Sequence, residues 1–271
     1  MLAGGFFGAG YYATSKALGG GQLTYDGDYA ILTFTESGQF TWRAGYPTST
    51  GSVEYLILAG GGGSSLRNTL GSGGSPDSDA EKHGSPGAGG TIRTGSMYFT
   101  SSTYSVVVGT GGLGTSSPNV DGGDGGDSSV FGISASGGSG GVNFSAASVA
   151  TGRGGSNADY DGSETGYQFC GKNTGGGADS GGDAVYSSSA CFGGPGNNGG
   201  PGTTWYGTTY GGGGAGSGGN AFDGGGAWSS GSDASNGTDG FGGGAGSVDF
   251  SSAARGGNGG SGVVIIRYKF Q

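Results

Sequence analysis

Residues 52–65 read SVEYLILAGGGGSS, in which an apolar run from Val53 to Leu58 ends directly against four consecutive glycines, Gly60 to Gly63. Branched and aromatic residues favour an extended, pleated chain, so the run predicts a buried strand. The glycines predict either a permissive loop or a place where a second backbone comes close. Which of the two applies decides the fold. The junction recurs in mirror image at GGNGGSGVVIIRY, residues 256–268, where glycines lead back into a strand. The two junctions bracket the chain, with β structure at both ends and glycine between.

Composition alone points towards disorder. Of 271 residues, 76 are Gly, about four times the usual share of ~7 per cent. Leu, Ile, Val and Phe together make only about 15 per cent, below the ~20 per cent at which chains begin to look unfolded. Each glycine fixed in a regular element costs roughly 0.5–1 kcal/mol more than alanine. Against disorder stand the aromatics, 14 Tyr, 13 Phe and 3 Trp, because disordered chains are depleted in them. The net charge of −9 is also small for this length.

Ten Lys and Arg against nineteen Asp and Glu give no basic field to neutralise phosphates, so nucleic acid is not an expected partner. No apolar run reaches the ~18 residues that would span a bilayer, and residues 1–10 lack the basic start of a signal peptide, so no membrane insertion is expected. Cys170 and Cys191 are compatible with a disulfide, worth roughly 3 kcal/mol in the chain-entropy model, or with two free thiols.

Along the chain, residues 1–28 open with the apolar-aromatic MLAGGFFGAGYYATSKALGGGQ and read as an attachment or packing segment. Residues 29–271 read as one glycine-rich domain, with strands within 29–108 and at 263–270. YAILTF and GQFTW predict strands joined by a hairpin turn at Glu36 to Gly38. Short strands are expected at 91–93, 97–100 and 104–108, the last two as a hairpin around 101–103. No segment carries helical periodicity over the ten residues a helix needs. The expected class is all-β, a small β scaffold bracketing a glycine-rich body with essentially no α-helix.

About 150 residues of that body separate the strands, too many for a structureless loop inside a compact domain. Glycine offers a way to order them. Extended helices of the polyproline type, with three residues per turn, have no internal hydrogen bonds, and without Cβ atoms their backbones can approach and bond one another. The body is therefore expected as packed polyglycine-type rods capped by aromatics. Four glycines spaced by three occur at Gly193 to Gly202 and at Gly237 to Gly246, no more often than chance supplies at this glycine content. A strict Gly-X-Y repeat is absent, which excludes collagen.

No motif supports catalysis or a cofactor. Gly109, Gly111 and Gly114 imitate a dinucleotide fingerprint, but the following TSSPNVDGGDGG cannot supply the helix whose N-terminus would hold a pyrophosphate. Asp121, Asp124 and Asp127 stand three apart and would share one face of a three-residue rod, as solvated acids or as a weak cation site. His83, the only histidine, lies among Asp77, Asp79 and Glu81 without a zinc or base–nucleophile pattern. The aromatics Tyr160, Tyr167, Trp205, Tyr206, Tyr210 and Trp228 remain, as cover for the rods or as ligand contacts. Trp205 and Tyr206, between polar segments, are expected to be the most exposed.

TFTESGQFTW (33–42), SVEYLILAGGGG (52–63), GAGGTIRTG (87–95), TYSVVVGTGGLG (103–114), GGDGGDSSVFG (122–132) and GGNGGSGVVIIRY (256–268) together resemble, in order, the glycine-rich domain of bacteriophage tail-fibre and adhesin proteins. The resemblance covers about residues 29–270. It implies a virion protein, a tail-fibre or tip adhesin, that binds a host surface glycan or protein without catalysis and presents variable tips from packed polyglycine helices. Docking to other virion proteins would fall to residues 1–28, and homo-oligomers are compatible. About 28 residues precede the domain in place of a long trimeric shaft, and insertions bearing Tyr, Trp and Asp interrupt its glycine tracts between 142 and 240. A purely structural virion component, such as a capsid decoration or fibre-anchoring protein, stays open, as does an extracellular glycine-rich matrix protein.

Overall fold

The computed structural model describes residues 21–42, 52–66, 84–98, 102–117, 120–142, 198–216, 218–230, 232–249 and 254–269. Among these the protein is all-β, without a helix. Thirteen strands occur: β1 (Gly21–Asp26), β2 (Tyr29–Phe34), β3 (Gly38–Trp42), β4 (Ser52–Leu58), β5 (Ile92–Tyr98), β6 (Ser102–Val106), β7 (Ser128–Val130), β8 (Ile133–Ala135), β9 (Thr203–Trp205), β10 (Thr208–Tyr210), β11 (Ser229–Ser230), β12 (Val248–Asp249) and β13 (Val263–Lys269). An antiparallel sheet in the order β1-β2-β13-β4-β5 is the largest. β3 pairs with β6, β7 with β8 and β9 with β10, each antiparallel, and the short β11 and β12 lie parallel.

The central strands are apolar without alternation because both faces of the sheet are covered. On one face Leu32, Phe34, Val53, Ile57, Val264 and Ile266 pack against Phe40, Trp42 and Val106 of the β3–β6 pair and Val130 of β7. On the other, Leu56, Leu58, Ile92, Val263 and Ile265 form a second cluster under Trp205 and Tyr210. Residues 21–26, placed by the sequence in the leading segment, are the sheet's edge strand, paired with β2 from Gly21↔Phe34 to Asp26↔Tyr29.

Two expected hairpins do not form. β2 has β1 on one side and β13 on the other, so neither edge is left for β3, and the turn at Glu36 and Ser37 carries the chain into the second sheet. Ser37 marks this corner by accepting a hydrogen bond from the Val108 amide at 3.0 Å. Ile92–Tyr98 form one continuous strand, β5, paired with β4, and β6 crosses to β3. Gly95 hid that continuity in the sequence. It lies directly opposite Tyr55, whose ring occupies the space a side chain at 95 would need.

The four glycines of the opening motif are not a loop. Segment 59–66 is the axis of a bundle and changes neighbour with every residue. The amides of Gly60 and Gly63 donate to the carbonyls of Gly126 and Gly123, those of Gly61 and Ser64 to Gly260 and Gly257, and those of Gly62 and Ser65 to Ala88 and Ser85, all at 2.8–3.0 Å. Its carbonyls accept from three further segments: Gly60 and Gly63 from Gly138 and Gly141, Gly61 and Ser64 from Gly112 and Thr115, and Gly62 from Ala245. A partner that returns every third residue marks an extended rod with three residues per turn. Six such rods, 84–91, 108–115, 120–127, 136–142, 242–248 and 254–262, surround this one. Rod 242–248 is enclosed in the same way, reaching also 211–216, 224–229 and 234–238.

This spacing excludes side chains. A Cβ on Gly61 would lie 2.1 Å from the Gly243 carbonyl oxygen, and one on Gly62 would lie 2.1 Å from that of Ser139. Gly62→Ala is therefore expected to destabilise by more than the ~1–3 kcal/mol usual for core overpacking. Thr110→Ala, at an outward position of the adjacent rod, should stay within ~0.5 kcal/mol. Urea unfolding of the two variants compares them, and equal midpoints would contradict the packing described.

Candidate functional site

Hairpin β9–β10 brings the aromatic candidates onto the sheet. Its two-residue turn places Tyr206 at φ 45° and Gly207 at φ 81°, the left-handed pair that matches the strand twist. Trp205 is half-buried against the second apolar cluster, and Tyr210 stacks on Phe241 with centroids 5.4 Å apart. Trp205 is thus turned towards the sheet, and of the adjacent pair only Tyr206, 60% exposed, shows most of its surface.

Tyr206 meets a charged cross-strand pair. Arg267 of β13 lies directly opposite Glu54 of β4, and its Nη1 donates to Glu54 Oε2 at 2.5 Å. The Tyr206 hydroxyl donates to the same oxygen at 2.8 Å. The guanidinium sits 3.3 Å from the centroid of the Tyr29 ring and 4.3 Å from that of Tyr206, a double cation–π contact. Burial, followed by the hydrogen bond to Glu54, raises the Tyr206 phenol above its ordinary value. A raised tyrosine contributes stability below pH ~10 that is lost as pH climbs through its folded value. For Arg267 burial works towards a lower value, and the Glu54 hydrogen bond together with the attraction of Tyr206, Glu54 and Tyr29 outweighs it, so the net direction is upward.

This cluster latches the rod body to the sheet through Tyr206, which the sequence offered either as cover for the rods or as a ligand contact. Glu54→Leu leaves a buried guanidinium unpaired and should destabilise markedly, whereas Glu54→Leu with Arg267→Leu should recover much of the loss. A thermal double-mutant cycle measures this coupling, and additive effects would deny it.

Asp124 and Asp127 fasten the rod surface. Their Oδ1 atoms accept the amides of Gly140 and Gly137 at 2.8 and 2.9 Å, amides that meet no further rod among the described residues. Asp233, Asn236 and Asp239 do the same for Arg255, Asn258 and Ser261, again at three-residue spacing. Asp121 continues the outward row on rod 120–127. Among the described residues no group of three or more His, Cys, Asp and Glu could hold a metal ion. We expect Asp124→Ala to cost about 1 kcal/mol and to speed amide exchange at Gly140. Asp124→Asn keeps an acceptor and should leave that exchange nearly unchanged, and equal effects of both would argue against the fastener.

Gly109, Gly111 and Gly114 lie in rod 108–115 and precede no helix. Trp228 is half-buried near the end of rod 224–229. Tyr160, Tyr167, Cys170, Cys191 and His83 with its neighbouring acids lie outside the described residues. The described residues that flank those segments have a definite place. Ala59 bonds Thr91 beside the sheet, whereas Leu66 meets Val120, and Gly84 bonds Val248, at the opposite end. Val142 follows Gly141, which bonds Gly63, and Asn198 sits beside Asn220 and precedes Gly200, which bonds Gly213. The chain therefore leaves for 67–83 and for 143–197, and returns from each, at the end of the bundle away from the sheet.

Residues 35–269 match the glycine-rich domain family, and the chain belongs to it. No curated protein matches the chain.

Proposed function

We propose that this chain is a phage virion protein, a tail-fibre or tip adhesin, that attaches to the host cell surface through the end of its rod body facing away from the sheet. The observation that carries the reading is the one-ended placement of both long insertions. The rods hold residues 66, 84, 142 and 198 at one end through dozens of backbone bonds, a rigid base from which loops can vary without disturbing the fold. The larger insertion carries Tyr160, Tyr167, Phe169 and Tyr186 among Ser, Gly and Asn, the composition of adaptable recognition loops. The six ordered motifs that resemble phage adhesins support the same reading.

Attachment is tested with fluorescently labelled protein on intact cells of a susceptible strain. Replacing residues 151–190 by a short Gly-Ser linker should reduce attachment at least about tenfold, equivalent to ~1.4 kcal/mol, with the melting temperature kept because the described rods are untouched. If the intact chain does not attach, or the shortened chain attaches equally well, the protein is a structural component of the particle instead.

A further inference from the structure

We propose that a groove on the side of the rod body binds one neutral sugar ring of a glycan. Segments 108–116 and 232–239 form its walls and rod 254–262 its floor, leaving about 400 Å³, open to solvent on one side, lined by Thr115, Ser116, Asp233, Asn236, Arg255 and Asn258. The volume lies in the range of small-molecule sites.

The groove's polar groups are held in place by the lattice. Asn258 Oδ1 accepts the Gly114 amide at 2.8 Å, Asn236 Oδ1 accepts the Asn258 amide at 2.8 Å, and Asp233 Oδ1 accepts the Arg255 amide at 2.9 Å. Each bond consumes one oxygen. The amino groups of Asn236 and Asn258, Asp233 Oδ2 and the Arg255 guanidinium have no partner among the described residues. The groove thus presents two fixed amide donors and a fixed carboxylate acceptor, for which little side-chain freedom is left to lose on binding, beside an Arg255 guanidinium that is free to turn onto a ligand.

Adjacent sugar hydroxyls, each both donor and acceptor, fit such a mixed set. The Asp233 carboxylate opposes an anion, and Ala234 is the sole apolar side chain in the lining, so neither a phosphate nor an apolar ligand suits it. Without an aromatic platform the affinity should be weak, with Kd about 1 mM. The inference rests on the adhesin reading only for the biological source of the sugar.

Saturation-transfer NMR on the full chain, with the methyl glycosides of glucose, galactose, mannose and rhamnose at about 10 mM, tests it. At least one should receive saturation. Asn258→Asp keeps the acceptor for the Gly114 amide and removes the donor, and should weaken binding about tenfold with the melting temperature unchanged. Arg255→Met, which retains the backbone bond to Asp233, should weaken it similarly. No transfer to any glycoside, or transfer unaffected by both substitutions, would overturn the site. Cell attachment by the intact chain is a separate result, so either reading can fail without the other.

Discussion

The hydrogen bond between neighbouring rods is the interaction on which the rest of this protein depends. A strand bonds neighbours on two sides, whereas the rod at 59–66 bonds six, three through its amides and three through its carbonyls. Those bonds reach 2.8–3.2 Å only when the backbones come so near that a methyl group at Gly61 or Gly62 would overlap a carbonyl. High glycine content is therefore a consequence of the spacing. Each bond contributes only about 0.5–1.5 kcal/mol net, so the body is held collectively. A buried amide left without an acceptor costs about 1–3 kcal/mol, which explains why the outermost rods carry Asp and Asn where a further rod would otherwise supply the carbonyl.

A lattice of backbones has no apolar core, and the five-stranded sheet supplies one. The rod body grips both faces of that sheet with the same device. Hairpin β7–β8 turns through Phe131 and Gly132 at φ 60° and 78°, and hairpin β9–β10 through Tyr206 and Gly207 at φ 45° and 81°. In each the aromatic takes the left-handed position that a bulky residue normally avoids. Packing compensates for this. Phe131 makes edge contacts with Phe40, Tyr55 and Tyr104 on one face, and Tyr206 lies over the Arg267–Glu54 pair on the other. The strain is local to the two turns, and the gain is a fixed orientation of the rods against the strands.

Much of this was legible in the sequence. The strands at 29–34, 52–58 and 263–269 follow from their apolar runs, and packed rods follow from the need to order so much glycine. Pairing was less legible, because β2 and β3 are close in sequence while competition from β1 and β13 separates them in space. The rod period was present in a form that a count of every third glycine misses. GGDGGD at 122–127, GGSGGV at 137–142 and GGNGGS at 256–261 each give two glycines and one larger residue per turn. The two glycines face neighbouring rods and the third residue faces outward, whereas the enclosed rods AGGGGSS and GGGAGS have no outward position and use only small residues throughout. The number of glycines per turn thus reports how many sides of a rod are covered. The fastening role of Asp124, Asp127 and Asp233 follows from the same pattern, since the outward residue next to an empty lattice position is the one that can reach a neighbour's orphan amide.

The two ends of the body are physically unequal. At the sheet end the rods join through tight turns, several requiring left-handed residues such as Asp223, Gly224 and Gly240. At the other end a tight turn at Gly216–Gly219 also occurs, but there the sheet does not bound the length of a connection. Loop closure there costs only about 0.6 kcal/mol for each doubling of length, little compared with the many inter-rod bonds that hold the loop's two feet. Sequence between residues 66 and 84, or between 142 and 198, can therefore lengthen or change composition while the rods beneath keep their register. Variation is cheap at that end and expensive at the sheet, so a fold built from glycine rods separates the part that must stay constant from the part that is free to diverge.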